Sequence, residues 1–140
     1  MSHINGLGAM TEEEAMRMSP LVLAYLGDTV YDLYIRTSLI LDGRGNAGAL
    51  HQISIQFVNA RSQAGLARRI MDSFTEDEKA VFMRGRNAKS ATVPKNMTVA
   101  DYRQATALEA LLGFLYLTGN VDRIEEIMKE ALHAASPSES

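Results

Sequence analysis

Two carboxylates sit in apolar surroundings. Asp28 lies inside LVLAYLGDTVYDLYI (residues 21–35), and Glu109 lies inside ATALEALLGFLYL (residues 105–117). At about 100° per residue, Asp28 shares its side of a helix with Ala24, Tyr25, Tyr31, Asp32 and Ile35. Glu109 shares its side with Tyr102, Ala105, Thr106, Gly113 and Tyr116. Neither acid has a basic residue three or four positions away, so no local ion pair is on offer. A buried carboxylate without a partner is costly, and it persists where it meets a cation, a metal or a donor network. Periodicity alone leaves two readings level. The acids accept tyrosine or backbone hydrogen bonds inside a core, or they are ligands of an oxygen-rich metal site. The second chemistry suits magnesium, which takes one or two carboxylates and completes its shell with water and substrate phosphates.

A basic segment precedes Glu109. Arg84, Arg86, Lys89, Lys95 and Arg103 stand against one acid, Asp101, in a chain whose formal net charge is −3. The stretch RGRNAKSATVPKN (residues 84–96) is polar and carries a glycine and a proline, as a loop does. Such a loop is commonly just a solvated surface. Here it leads into the helix that bears Glu109, and phosphate contacts beside metal-binding acids are what phosphoryl-transfer chemistry requires. Arg61, Arg68 and Arg69 extend the basic set only weakly.

The elements that would position these groups are helical. TEEE (residues 11–14) and TEDE (residues 75–78) are capping boxes. Ser19-Pro20 starts a helix expected to run to about Leu41. Residues 46–73 read as two helices that break near Val58-Asn59, with Asn59 as a natural N-cap. Thr98 with Asp101 opens a long helix expected to end at Gly119, and a last helix covers about 120–134. No segment alternates with period two, so the fold class is all-α in one domain. Residues 1–10 read as a lead-in, 11–134 as the domain and 135–140 as a polar tail.

Two helices, 20–41 and 99–118, are apolar nearly all round, which implies burial on every side. The expectation is a central pair with one face left for a second copy, against a well-covered monomer. The 140 residues contain no cysteine, which excludes disulfides and thiolate zinc sites. His51 has no second ligand one turn away, and His3 and His133 lie in the lead-in and near the tail. No uncharged stretch reaches the length of a membrane span.

LAYLGDTVYDLYI resembles the central helix motif of the ribonuclease III catalytic domain, in which a Leu-Gly-Asp step carries a metal ligand. LEALLGFLYL resembles that fold's second acidic motif. RGRNAKSATVPKN followed by YRQATALEALLG is similar to mini-ribonuclease III, the subgroup with the catalytic domain alone. The resemblance spans residues 18–117. It implies an all-α homodimeric bundle and a cytoplasmic, Mg²⁺-dependent endoribonuclease that acts on double-stranded RNA, with the 23S ribosomal RNA precursor as substrate. It leaves a ribosomal-protein helper open as a further partner. On this resemblance Asp28 and Glu109 are the metal ligands and catalytic acids. Arg84, Arg86, Asn87, Lys89, Lys95 and Arg103 contact RNA, and Tyr102 and Thr106 orient Glu109. Two usual acids of the wider family are missing: Ala24 stands four residues before Asp28, and Thr106 three before Glu109. Those losses favour weak Mg²⁺ binding without RNA. They also support the competing reading, an RNA-binding or ribosome-assembly module on the same fold.

Overall fold

The computed structural model describes residues 7–43, 45–89 and 93–134. Among them every regular element is a helix: α1 (Glu12–Met16), α2 (Pro20–Leu41), α3 (Ala47–Phe57), α4 (Ala60–Ile70), α5 (Glu76–Asn87), α6 (Val99–Leu117) and α7 (Val121–Ala134), with a 3₁₀ turn at Met71–Ser73 after α4. No helix is long and apolar enough to cross a membrane. The polar lead-in and tail fall largely outside the described residues.

Both capping boxes form. Thr11 and Thr75 each accept from the backbone N–H three residues on, and Glu14 and Glu78 reach back to the capping residue. Asn59 breaks α3 from α4: its Oδ1 accepts from Ser62 N at 2.9 Å, and its Nδ2 donates to Gln56 O at 2.9 Å. Ser19 occupies the cap position of α2 without a side-chain bond, so Pro20 carries that start signal. α6 stops at Leu117, two residues short of Gly119. Gly119 adopts φ 77°, and the Asn120 N–H closes the end on Leu115 O at 2.8 Å, a Schellman arrangement that turns glycine into the terminator.

α6 is the centre, packed mainly by α2, α4 and α5 and to a lesser extent by α7 and α1. Leu108, Leu111, Leu112 and Leu115 line one side of it and Ala107, Ala110 and Phe114 the opposite side, all of them buried, which explains why no single apolar stripe marks it. α2 is covered on one side only. Leu23, Gly27, Val30, Tyr31 and Ile35 are buried, whereas Val22, Tyr25, Leu33 and Ile40 are exposed, Tyr25 at 82%. The all-round apolar character of α2 therefore has two causes, a core face and an uncovered face. At the far side, Arg123 of α7 meets the buried Glu78 at 2.9 Å and donates to Ser73 O at 3.2 Å, tying α7 to the start of α5.

Candidate active site

Glycine spacing brings the two acids together. A Cβ built on Gly27 would overlap the Glu109 carbonyl oxygen and lie 2.9 Å from the Glu109 Cα. A Cβ on Gly113 would overlap the Leu23 carbonyl oxygen and lie 3.2 Å from the Leu23 Cα. The pairs Leu23/Gly27 and Glu109/Gly113 are each one turn apart, so α2 and α6 touch backbone to backbone across a full turn. Asp28 follows Gly27 directly, and this contact sets its carboxyl against that of Glu109.

The environments of the two acids differ. Asp28 is exposed and Glu109 is half-buried. The expectation of two buried acids is thus corrected for Asp28. It shares its side of α2 with the buried Ala24, Tyr31 and Ile35, so its exposure is set by the packing around that one turn and not by its face of the helix. Asp32, one turn on, pairs with Arg36 at 2.9 Å. Burial first, and then the Asp28 carboxyl, push the Glu109 pKa up to about 8, while a hydrogen bond from Gln63 acts in the opposite direction. Gln63 lies on α4, is buried, and donates Nε2 to Glu109 Oε2 at 3.2 Å.

Among the described residues no group of three acidic, histidine or cysteine side chains gathers. Two carboxylates with a neutral carboxamide do not make a closed cage. They fit a hard divalent cation that keeps water and takes up substrate phosphate. The position of Ala24 is buried and hydrocarbon. Thr106 is buried, and its hydroxyl donates to the Tyr102 carbonyl at 3.0 Å, back along its own helix. That bond engages the Thr106 proton along its own helix and not toward Glu109. Tyr102 is half-buried on the same helix. The residue that does touch Glu109, Gln63, was missed by sequence reasoning because its 46-residue separation is bridged only by tertiary packing. Its one local signal was a polar side chain on the inward face of α4, beside Ala64, Ala67 and Ile70.

The basic residues divide. Arg84 donates Nη1 to Met16 O and Nη2 to Met18 O, the latter at 2.8 Å. It holds the corner between α1 and α2, a structural role that sets Arg84 apart from the other basic residues expected to contact RNA. Arg84→Ala is expected to lower stability by about 1.5–3 kcal/mol, as loss of charged hydrogen bonds does, with RNA affinity and its salt dependence unchanged. A thermal melt and a binding titration at two salt concentrations check this. Asn87, Lys89, Lys95 and Arg103 are exposed, and Arg86 is half-buried. Arg86 and Arg103 line a cavity of about 230 Å³ with Val99, Ala100 and Gln104. Residues 90–92 of the loop lie outside the described residues. Arg68 pairs with Asp101 at 2.8 Å. Arg61 and Arg69 flank another cavity of about 290 Å³, which also includes Tyr31 and Ser62.

A helical bundle that closes two acids across a glycine-tight helix pair is the architecture of a known endonuclease class. The model of the ribonuclease III domain matches residues 21–120, and the chain belongs to that family. It is an endoribonuclease of the ribonuclease III type, in the mini-ribonuclease III group. It is 43% identical over 129 residues to Mini-ribonuclease 3 of Thermoanaerobacter sp. (strain X514), covering 92% of this chain and 91% of that one. It is 42% identical to Mini-ribonuclease 3 of Staphylococcus aureus (strain NCTC 8325 / PS 47), covering 82% and 87%. A crystal structure of a Fusobacterium nucleatum protein superimposes with a TM-score of 0.80 at 31% identity, covering 91% of this chain and 100% of that one.

Proposed function

We propose that the chain is a homodimeric, Mg²⁺-dependent endoribonuclease that cuts double-stranded RNA in the cytoplasm, with the 23S ribosomal RNA precursor as its substrate. The observation that carries the reading is the contact of Asp28 with Glu109, backed by Gln63, at a helix crossing that leaves Asp28 open to solvent. A bound Mg²⁺ supplies the activation of water and the neutralisation of charge that phosphodiester hydrolysis needs. Asp28 and Glu109 would hold it, with water and RNA phosphate as the other donors. Glu109 must give up its proton to do so, because burial beside Asp28 favours the protonated acid near neutrality.

Arg86, Asn87, Lys89, Lys95 and Arg103 bind the duplex through phosphates and 2′-hydroxyls, the groups that double-stranded RNA displays. The uncovered face of α2, with Val22, Tyr25, Leu33 and Ile40, is the seam with a second copy. That arrangement places two acid pairs and two basic loops along one duplex, one for each strand.

The test uses an RNA duplex taken from the ends of the 23S precursor, the matching single strand, and Mg²⁺ added or withheld. Cleavage of the duplex alone, dependent on Mg²⁺, together with a dimer in sedimentation equilibrium, is the expected result. Binding of the duplex without cleavage would replace the enzyme by an RNA-binding module, and a monomer that cuts one strand would remove the seam.

A further inference from the structure

Three helices meet at this site. α2 contributes Asp28 and α6 contributes Glu109, while α4 contributes Gln63. The first turn of α4 is held firmly: the Asn59 side chain caps Ser62 N, and Gln63 N donates to Asn59 O at 3.0 Å. Gln63 is 4% exposed, on a face otherwise built from Ala64, Leu66, Ala67 and Ile70. A primary amide is unfavourable there without a partner, and a hydrocarbon of the same length would fill the space. The partner it has is Glu109 Oε2, at 3.2 Å.

The chemistry of this donor matters. A lysine or arginine in its place would neutralise Glu109 and repel an incoming cation. A carboxamide fixes the carboxyl group but carries no charge, so it does not cancel the negative charge that a cation would draw on. A carboxylate accepts at both oxygens, and a bond on Oε2 leaves Oε1 for another partner. The two positions where the wider pattern has acids offer no such support, since Ala24 has no polar side-chain atom and the Thr106 hydroxyl is bonded to Tyr102 O.

We propose that Gln63 is a positioning residue of the Asp28/Glu109 site, which holds one oxygen of Glu109 and so presents the other, together with Asp28, to the divalent cation. This rests on the metal-dependent reading above. It makes a neutral amide from a third helix part of what compensates for the acids absent at positions 24 and 106.

The test compares the full-length wild type with Gln63→Met, close in length and volume, and Gln63→Asn, which keeps an amide but withdraws it by one methylene. Three quantities are read: binding of Mn²⁺ by electron paramagnetic resonance without RNA, kcat and KM on an RNA duplex, and the melting temperature. Outer groups that orient a ligand typically change metal affinity or activity about 10–100-fold. Gln63→Met is therefore expected to weaken Mn²⁺ binding and lower kcat by about that factor while KM for RNA stays at the wild-type value. Wild-type Mn²⁺ binding and kcat in a folded Gln63→Met protein overturn the proposal. Should Gln63→Met not fold, Gln63→Asn decides in the same way: reduced Mn²⁺ binding and kcat support the proposal, and wild-type values overturn it. A wild type that neither binds Mn²⁺ nor cuts the duplex overturns the metal-dependent reading and the role of Gln63 with it, whereas failure of the Gln63 variants alone to differ leaves that reading intact.

Discussion

Gly27→Ala is expected to lose at least about 3 kcal/mol of stability, the upper end of what overpacking a core costs. The added methyl group would overlap the Glu109 carbonyl oxygen and stand 2.9 Å from its Cα. These are backbone atoms in the middle of α6, and no side-chain rotamer can move them aside. The helices would have to separate, and Gly113 makes the reciprocal contact one turn away. For a domain of this size such a loss lowers the melting temperature by roughly 10 °C. The chemistry is expected to suffer as well, since separating α2 from α6 draws Asp28 away from Glu109. A circular-dichroism melt checks the first effect. A melting temperature within about 2 °C of the wild type would mean that the crossing is looser than described.

The second large effect belongs to the acids themselves. Asp28→Asn and Glu109→Gln each remove a charge that the cation needs. A metal ion contributes several kcal/mol to the transition state, and each 1.36 kcal/mol is tenfold in rate, so cleavage is expected to fall by at least about 10³-fold in each variant. Binding of the duplex is expected to persist, because the basic loop is untouched.

Glu109→Gln also separates catalysis from stability. The Glu109 pKa is raised to about 8 in the fold against 4.5 as its unperturbed value. Between those values the folded state binds more protons than the unfolded one, so stability falls as pH rises across that window. Without a divalent cation, Glu109→Gln removes this penalty. It still accepts the Gln63 bond through its own carbonyl. The variant is expected to melt higher than the wild type at pH 8 and close to it at pH 5. A variant that melts lower at pH 8 would show that the carboxylate stabilises the fold and is not a strained functional group.

Much of this fold is visible in local chemistry. Thr11 with Glu14, Thr75 with Glu78, Asn59 and Thr98 mark helix starts through short-range bonds, and each lies where the pattern places it. Asp28 and Glu109 stand out because acids are rare in such apolar runs. What the pattern does not carry is tertiary. Arg84 lies within a run of basic residues, yet its guanidinium is bonded to carbonyls 66 and 68 positions away. Gln63 has no charge to mark it, and its meaning arises only from the packing of α4 on α6. The exposure of Asp28, on the same side of α2 as the buried Ala24, Tyr31 and Ile35, depends on packing around one turn that spacing along the helix does not reveal.

The most direct measurement is single-turnover cleavage of an RNA duplex at saturating Mg²⁺ by the wild type, Asp28→Asn, Glu109→Gln and the double variant, with RNA binding followed on the same samples. Two acids of one site act as a unit, so the double variant is expected to be no slower than either single one, with binding kept in all four. Wild-type cleavage by either single variant would contradict the account.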